Sequence, residues 1–351
     1  MAGVAILKDT TAHPGDLTPF DRLIKASTEY EPSSLLAVIG KTEGNGCVND
    51  YTRMLSATVW DPLLVGQDGI SVFSGGTEGV LSPHVSLVVR EPDHVAADGS
   101  KKYAEGLVAA VGHTRDFAPH EMGTAVQAHE VAKEVSRLMA DLAVAEDQVH
   151  MVLVKCPLLT TAKVAASAEP CVTTDTYKSM GYSRLATALG ISLALGELAE
   201  EGLGAALDSY GVQGWSSRAS CSSGAELENC HIVVLAVSSK ASNPYRATHG
   251  YMADAIDFKG LYPLVQEASA AGAAPVQIFV KAEPSTDGVV RGMRHTMMTD
   301  SDIQGTRHAR AAVGGLVAGL WGTPDVYVSG GAEGQGPMGG GSVCVVYKLA
   351  E

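Results

Sequence analysis

Lys41, Lys155 and Lys281 each close a short apolar run, and each is followed by an arginine and then by a serine in a glycine-rich turn. The first set runs from Leu35 to Lys41, through Thr52-Arg53, to Ser74-Gly75-Gly76-Thr77-Glu78. The second runs from Val149 to Lys155, through Ser183-Arg184, to Ser222-Ser223-Gly224-Ala225-Glu226. The third runs from Val276 to Lys281, through Thr306-Arg307, to Ser329-Gly330-Gly331-Ala332-Glu333. The gaps from lysine to serine are 33, 67 and 48 residues, so the loops differ while the order of end points is kept. Three ordered copies of one pattern point to a fold of repeated units and to a site that all of them build.

The residue types are those of acyl transfer. Three lysines and three arginines at one point would favour an anionic or carbonyl-rich ligand. Such crowding also lowers a lysine's pKa, because each cation disfavours charge on its neighbour. A neutral lysine can take the proton of a serine hydroxyl, which is a weak nucleophile without that help. The turns add backbone N–H groups that can hold a developing oxyanion. At this level the three Lys–Ser pairs are chemically alike, and which one acts stays open.

The elements that must position these groups follow from periodicity. The runs ending in lysine are short, β-branched and bounded by turn residues, which predicts buried strands. Further apolar runs, Val85–Val89, Ile232–Leu235 and Val343–Tyr347, close each copy as strands, and Val4–Leu7, Leu107–Val111 and Tyr245–Gly250 open it. Thr124–Ala143 places Val131, Val135, Leu138, Met139 and Leu142 at helical spacing, with Lys133, Glu134 and Arg137 between them. Ser183–Leu203 and Thr306–Leu320 are Ala- and Leu-rich and predict helices, each with its arginine near the start. The expected fold is α/β: three homologous units, each roughly β-α-β-α-β-β, around a pseudo-threefold axis with one central site. Their bounds are 1–99, 100–243 and 244–351.

Composition narrows the classes. Twenty-five Lys and Arg against 39 Asp and Glu give a net charge of −14, which argues against nucleic acid as a partner. No apolar run reaches the roughly 18 residues of a membrane helix, and the first residues lack the pattern of a signal peptide. Six cysteines with no Cys-x-x-Cys pair do not make a disulfide scaffold, so a soluble, reduced, cytoplasmic protein is expected. Glycine supplies 39 of 351 residues, about 11% against a usual share of about 7%, and it collects in tight clusters between apolar runs.

Other motifs read as incomplete. Gly40-Lys41-Thr42 imitates the end of a phosphate loop, but the required earlier glycine is Leu35. His129-Glu130 begins a zinc-helix pattern that Lys133 breaks. No Gly-x-Ser-x-Gly elbow or Ser-x-x-Lys box occurs, so a Ser–Lys pair must be assembled in space. Cys156 and Cys221 flank one such pair and read as small packing residues.

The stretches Gly40–Arg53, Ser74–His84, Val154–Thr160, Thr173–Arg184, Val289–Met297, Asp300–Arg310 and Ser329–Gly341 resemble the cyanuric acid hydrolase/barbiturase family of ring-opening cyclic amidases. The resemblance spans the chain. It implies three repeats around one site, with each repeat gripping one edge of a cyclic imide, and assembly into homotetramers. It implies substrate binding by Arg53, Arg184 and Arg307, by Ser74-Gly75, Ser222-Ser223 and Ser329-Gly330, and by Lys41 and Lys281, with Arg310 a weaker candidate. It makes Ser222 the nucleophile and Lys155 its base, with no organic cofactor. A structural Mg²⁺ or Ca²⁺ is implied on Glu283 and on oxygens of Ala332, Gln335, Gly336, Pro337 and Gly340; oxygen-only ligation suits such cations. Here the chain departs from the family's Gly-Ala-Glu-His-Gln-Gly-Pro, with Gly334 in place of His. The expected reaction is hydrolysis of cyanuric acid to carboxybiuret and then biuret and CO₂. Barbituric acid is the alternative substrate, and a non-catalytic binder of cyclic imides is the alternative of another class.

Overall fold

The predicted strands and helices form in three rounds in a computed structural model that describes residues 3–66 and 68–350. The first round is β1 (Gly3–Thr10), β2 (Leu35–Thr42), α1 (Tyr51–Trp60), β3 (Ile70–Gly75) and β4 (His84–Glu91). The second is β5 (Gly106–His113), α2 (Ala125–Leu142), β6 (Val149–Pro157), α3 (Thr176–Ala194), β7 (Ala219–Gly224) and β8 (His231–Ser238). The third is β9 (Tyr245–Met252), α4 (Phe258–Ala270), β10 (Ala274–Ala282), the small hairpin β11 (Val289–Val290) and β12 (Met293–Arg294), α5 (Gly305–Trp321), β13 (Tyr327–Gly330) and β14 (Gly341–Lys348). In the first round the helix after the opening strand shrinks to Thr18–Phe20 and a further turn.

Each round makes one four-stranded sheet, ordered β1-β4-β2-β3, β5-β8-β6-β7 and β9-β14-β10-β13. In every sheet one pair is parallel, β2–β3, β6–β7 and β10–β13, and the other pairs are antiparallel. The three sheets fall within 1–99, 100–243 and 244–351. Among the described residues no helix is long and apolar enough to cross a membrane.

The pleat decides what faces the axis. Side chains alternate between the two faces of a strand. In the second sheet Leu107, Met151, Leu153, Val233 and Leu235 join the central core, where they meet Tyr245, Phe279, Tyr327 and Cys344 of the third and the inner residues of the first. Their neighbours Val108, Val152, Val154, Ile232 and Val234 pack outward with Val131, Val135 and Leu138 of α2 and Ala188 and Ile191 of α3. Ile278, Val280, Val328, Val343 and Val345 do the same against Val313 and Val317 of α5. Two residues beyond Ile39, Leu153 and Phe279 on the inner face come Lys41, Lys155 and Lys281. The central core thus runs along the axis and ends in three lysines.

The long helix α3 also departs from expectation. α3 ends at Ala194, with Gly196 in the left-handed region (φ +65°), and does not run on to Leu203; Leu203–Asp208 is a separate short helix. It also begins earlier than predicted, because the Asp175 carboxylate caps it by accepting the N–H groups of Tyr177 and Lys178. Arg184 consequently sits in the middle of its helix, not near the start.

Candidate active site

Parallel pairing sets Lys41 opposite Ser74, Lys155 opposite Ser222 and Lys281 opposite Ser329. The strand pairs end around one cleft with about 230 Å³ of empty space, whose lining includes Ser74 and Ser222 but not Ser329, Lys41, Lys155 or Lys281. Arg53, Ser74, Gly75, Arg184, Ser222, Ser223, Arg310 and Gly330 line it, with Gly46 and Met180. Lys41 Nζ donates to Ser74 Oγ at 3.2 Å, and Lys281 Nζ donates to Ser329 Oγ at 2.9 Å. Ser74 Oγ in turn donates to Ser329 Oγ at 3.1 Å. The second pair differs. Ser222 Oγ is buried and has no hydrogen-bond partner among the described residues. Lys155 Nζ donates instead to the Phe73 carbonyl at 2.7 Å and lies 3.4 Å from the Glu226 carboxylate.

The arginines link the repeats. Arg310 of α5 reaches Glu78 in the turn of the first repeat at 2.5 and 2.6 Å. Arg184 of α3 reaches Glu333 in the turn of the third at 2.6 and 2.7 Å, and also donates to Ser223 Oγ at 3.2 Å. Arg53 of α1 donates to the carbonyls of Ser223 and Cys47 at 2.6 and 2.5 Å, with Asp50 at 3.7 Å. Gly76 and Gly331 have positive φ, and a Cβ on either would come within 2.5 Å of the guanidinium of Arg310 or Arg184. Only glycine allows both the backbone shape and that approach.

The third arginine is therefore Arg310. Arg307, one turn earlier on α5, is half-buried, does not line the cleft and has an unpartnered Nε among the described residues. The phase in which α5 packs decides between the two. On α5 the buried residues are Ala309, Arg310, Val313, Gly314 and Val317, so Arg310 shares the inward face and Arg307 does not. Sequence reasoning also passed over the glutamates that close each turn. Glu78, Glu226 and Glu333 offset the cations, so the cleft is less positive than six bases alone would make it.

Burial dominates the electrostatics. It pushes Lys41 well below the usual lysine value, with the Arg310 charge adding to the effect. Burial and Arg184 bring Lys281 down to about 7. Burial lowers Lys155 to about 8, with Glu226 acting in the opposite direction. Burial alone would raise Glu333, but Arg184 overrides it and holds the carboxyl below its ordinary range.

Ala332, Gln335, Gly336, Pro337 and Gly340, expected to ligate a cation, lie in the loop after β13, and Glu283 reaches that loop from the end of β10. One oxygen of Glu283 accepts the Ala332 N–H at 2.9 Å, and the Pro337 carbonyl accepts the Gly340 N–H at 2.9 Å. Gln335 turns its amide oxygen to the Cys221 N–H at 2.5 Å, so it braces β7. Among the described residues no group of three or more His, Cys, Asp and Glu could hold a metal. The charge does suit a hard cation, since burial and the nearby Glu333 push the Glu283 carboxyl up. Glu283, Glu333 and Gly336 also line a wider cleft of about 1040 Å³ with Tyr177, Tyr210 and Gln304. Ser74, Ser222 and Ser329 are not among the residues that line it. Cys156 and Cys221 are fully buried, and among the described residues all six cysteines are free.

Comparison with known proteins gives one answer throughout. Residues 5–348 match the model of a family described as amidohydrolase ring-opening proteins. A cyanuric acid amidohydrolase from a Sarocladium species is 53% identical over all of both chains. One from a Rhodococcus species is 50% identical, covering 99% of this chain and 97% of its own. Among solved structures, one described as "Cyanuric acid hydrolase: evolutionary innovation by structural concatenation" superposes with a TM-score of 0.93 at 41% identity, covering 99% of this chain and 100% of the other. The cyanuric acid hydrolase of A. caulinodans gives 0.90 at 43% identity over 100% of both chains. With three like sheets, one serine–lysine–arginine cleft and a match along nearly its whole length, this chain belongs to the amidohydrolase ring-opening family and is a hydrolase.

Proposed function

We propose that the chain is a cyanuric acid amidohydrolase in which Ser222 is the nucleophile and Lys155 its base. The observation that carries this reading is the free Ser222 hydroxyl. It lines the cleft opposite a buried lysine, whereas Ser74 and Ser329 are engaged with Lys41, Lys281 and each other. Cyanuric acid has the same threefold pattern of carbonyl and N–H as the cleft has of arginine, lysine and serine. Arg53, Arg184 and Arg310 would hold ring oxygens, and the engaged pairs would orient and polarise the ring.

In the first step Ser222 Oγ bonds to a ring carbonyl carbon while its proton passes to neutral Lys155 Nζ. Backbone N–H groups of the serine turns face the developing oxyanion. Collapse breaks the C–N bond, and Lys155 returns the proton to the leaving nitrogen. Water then attacks the ester, gives its proton to Lys155, and the carboxybiuret acyl group leaves as Ser222 recovers that proton. Carboxybiuret loses CO₂ to give biuret.

A divalent cation, Mg²⁺ or Ca²⁺, fits Glu283 with loop carbonyls from Ala332, Gly336, Pro337 and Gly340, where it would offset two neighbouring carboxylates. It would stabilise the loop after β13 and carry no step of the reaction. Chelation is expected to lower the melting temperature, and readdition of either cation to restore it. The function itself is tested by offering cyanuric and barbituric acid separately and following ring absorbance and biuret. Turnover of cyanuric acid is expected. Turnover of barbituric acid alone would replace the substrate, and binding without turnover would end the enzymatic reading.

A further inference from the structure

The three turn glutamates occupy equivalent places but do different things. Glu78 and Glu333 each clamp an arginine of another repeat through two hydrogen bonds. By the same symmetry Glu226 would clamp Arg53, yet Arg53 binds the carbonyls of Ser223 and Cys47. Glu226 lies back over Gly224, where a Cβ would come within 2.3 Å of its carboxylate, and its oxygen is 3.4 Å from Lys155. The turn sequence supplies a reason. Ser223 stands where the other turns have Gly75 and Gly330, and Gly224 lacks the positive φ of Gly76 and Gly331.

Behind this ion pair is a second cleft, with about 530 Å³ of empty space. Lys155, Glu226, His231, Asp61 and Thr58 line it, and none of the cleft's residues except Lys155 belongs to the proposed catalytic machinery. Lys155 lines this cleft, whereas Lys41 and Lys281 each donate to a serine hydroxyl and to carbonyls. Resting on the Ser222–Lys155 reading above, we propose that Glu226 is a positioning residue: it draws Lys155 off Ser222, leaves the nucleophile's hydroxyl free, and keeps the base in touch with solvent through the rear cleft while the ring covers the front.

Every charged or titratable group around the pair bears on the outcome. Arg53 and Asp50 approach from α1 and its cap, His231 from β8, and Asp61 from the segment after α1. Arg53 opposes protonation of Lys155, while Glu226 and Asp50 favour it. Loss of the Glu226 charge therefore lowers the lysine's pKa and lets it settle on Ser222, as in the other two repeats.

The test compares pH profiles of purified wild type, Glu226→Gln and Glu226→Asp with cyanuric acid. Glu226→Gln is expected to move the acidic limb of kcat/KM down by about one pH unit. It is also expected to lower plateau kcat about tenfold with KM nearly unchanged, since the group acts through the base and not on the ring. Glu226→Asp is expected to restore most of both. An unmoved limb, or a loss carried by KM alone, would overturn the proposal. If Glu226→Gln does not fold, the wild-type profile decides: a limb near 8 supports the pairing, and one at or below 7 refutes it. Failure here differs from failure of the dyad reading, which Ser222→Ala tests: an inactive Ser222→Ala with an unmoved Glu226→Gln limb removes only the role of Glu226.

Discussion

Two regions of the cleft were built from one pattern and ended unlike. In the first and third repeats lysine, serine and the facing serine form one hydrogen-bonded chain, Lys41–Ser74–Ser329–Lys281, and each turn glutamate clamps an arginine. In the second repeat the chain is broken: Ser222 is free, Lys155 leans on Phe73 and Glu226, and Arg53 is held by carbonyls. On the proposed function, a symmetric ring would need three grips but only one attack. A satisfied serine is a good grip and a poor nucleophile, because its hydroxyl must first give up hydrogen bonds that hold it in place. On the proposed reading, the difference places the attack where the symmetry breaks.

The sharpest way to break the comparison is to remove each serine in turn. Ser222→Ala is expected to cut turnover by about 10⁴-fold or more, as removal of a nucleophile does elsewhere. Ser74→Ala and Ser329→Ala should lose about 10- to 100-fold, since each removes one polarising group. Steady-state kinetics checks the order, and equal losses at all three positions would return the serines to equivalence.

Arginines come next. Arg184→Met strands Glu333 as an uncompensated buried carboxylate, at a cost of about 3–5 kcal/mol of stability. Arg53→Met leaves the buried Asp50 with its hydrogen bonds from Gly46 and Thr52 and should cost less, while both raise KM. Denaturant unfolding separates the two. Arg310→Met is expected to raise KM by about 10- to 100-fold, as loss of a charged hydrogen bond does, and Arg307→Met by under about twofold. The reverse order would put Arg307 back in the cleft.

A further effect is on the pH dependence of stability. The folded pKa of Lys155 is about 8 against an ordinary 10.5. Between these values the unfolded chain binds more protons, so this lysine's contribution to stability rises with pH across that window. Below pH 8 the penalty is present in full, on the order of 3 kcal/mol. Lys155→Met should therefore raise the melting temperature at pH 7 while losing activity, and the wild-type rate should climb as pH rises through about 8. A destabilised Lys155→Met would show that the lysine is held for its packing.

Much of this could be read from the chain. Strand runs such as Val149–Lys155 alternate between two apolar environments, and the Ser-Gly turns break them where the backbone must turn. Repetition then fixed the three sheets and named most of the cleft. The error at Arg307 has a clear cause: Thr306-Arg307 copies the dipeptides Thr52-Arg53 and Ser183-Arg184, but the helix phase, set by burial of Val313 and Val317 against β10 and β13, turns Arg310 inward. The end of α3 was misjudged because Ala- and Leu-rich sequence continues past Gly196, whose left-handed backbone stops the helix.

By itself the sequence determined the repeated unit, the inward phase of Lys41, Lys155 and Lys281, and the chemistry those side chains can do. All of these follow from the local rules of the pleat and the turn. The tertiary structure alone decided which arginine completes the ring, which glutamate meets which cation, and which serine is left free. Those choices depend on groups up to 265 residues apart, such as Arg310 and the Asn45 carbonyl, competing for the same few ångströms. That competition is settled by burial and geometry, which no single repeat contains.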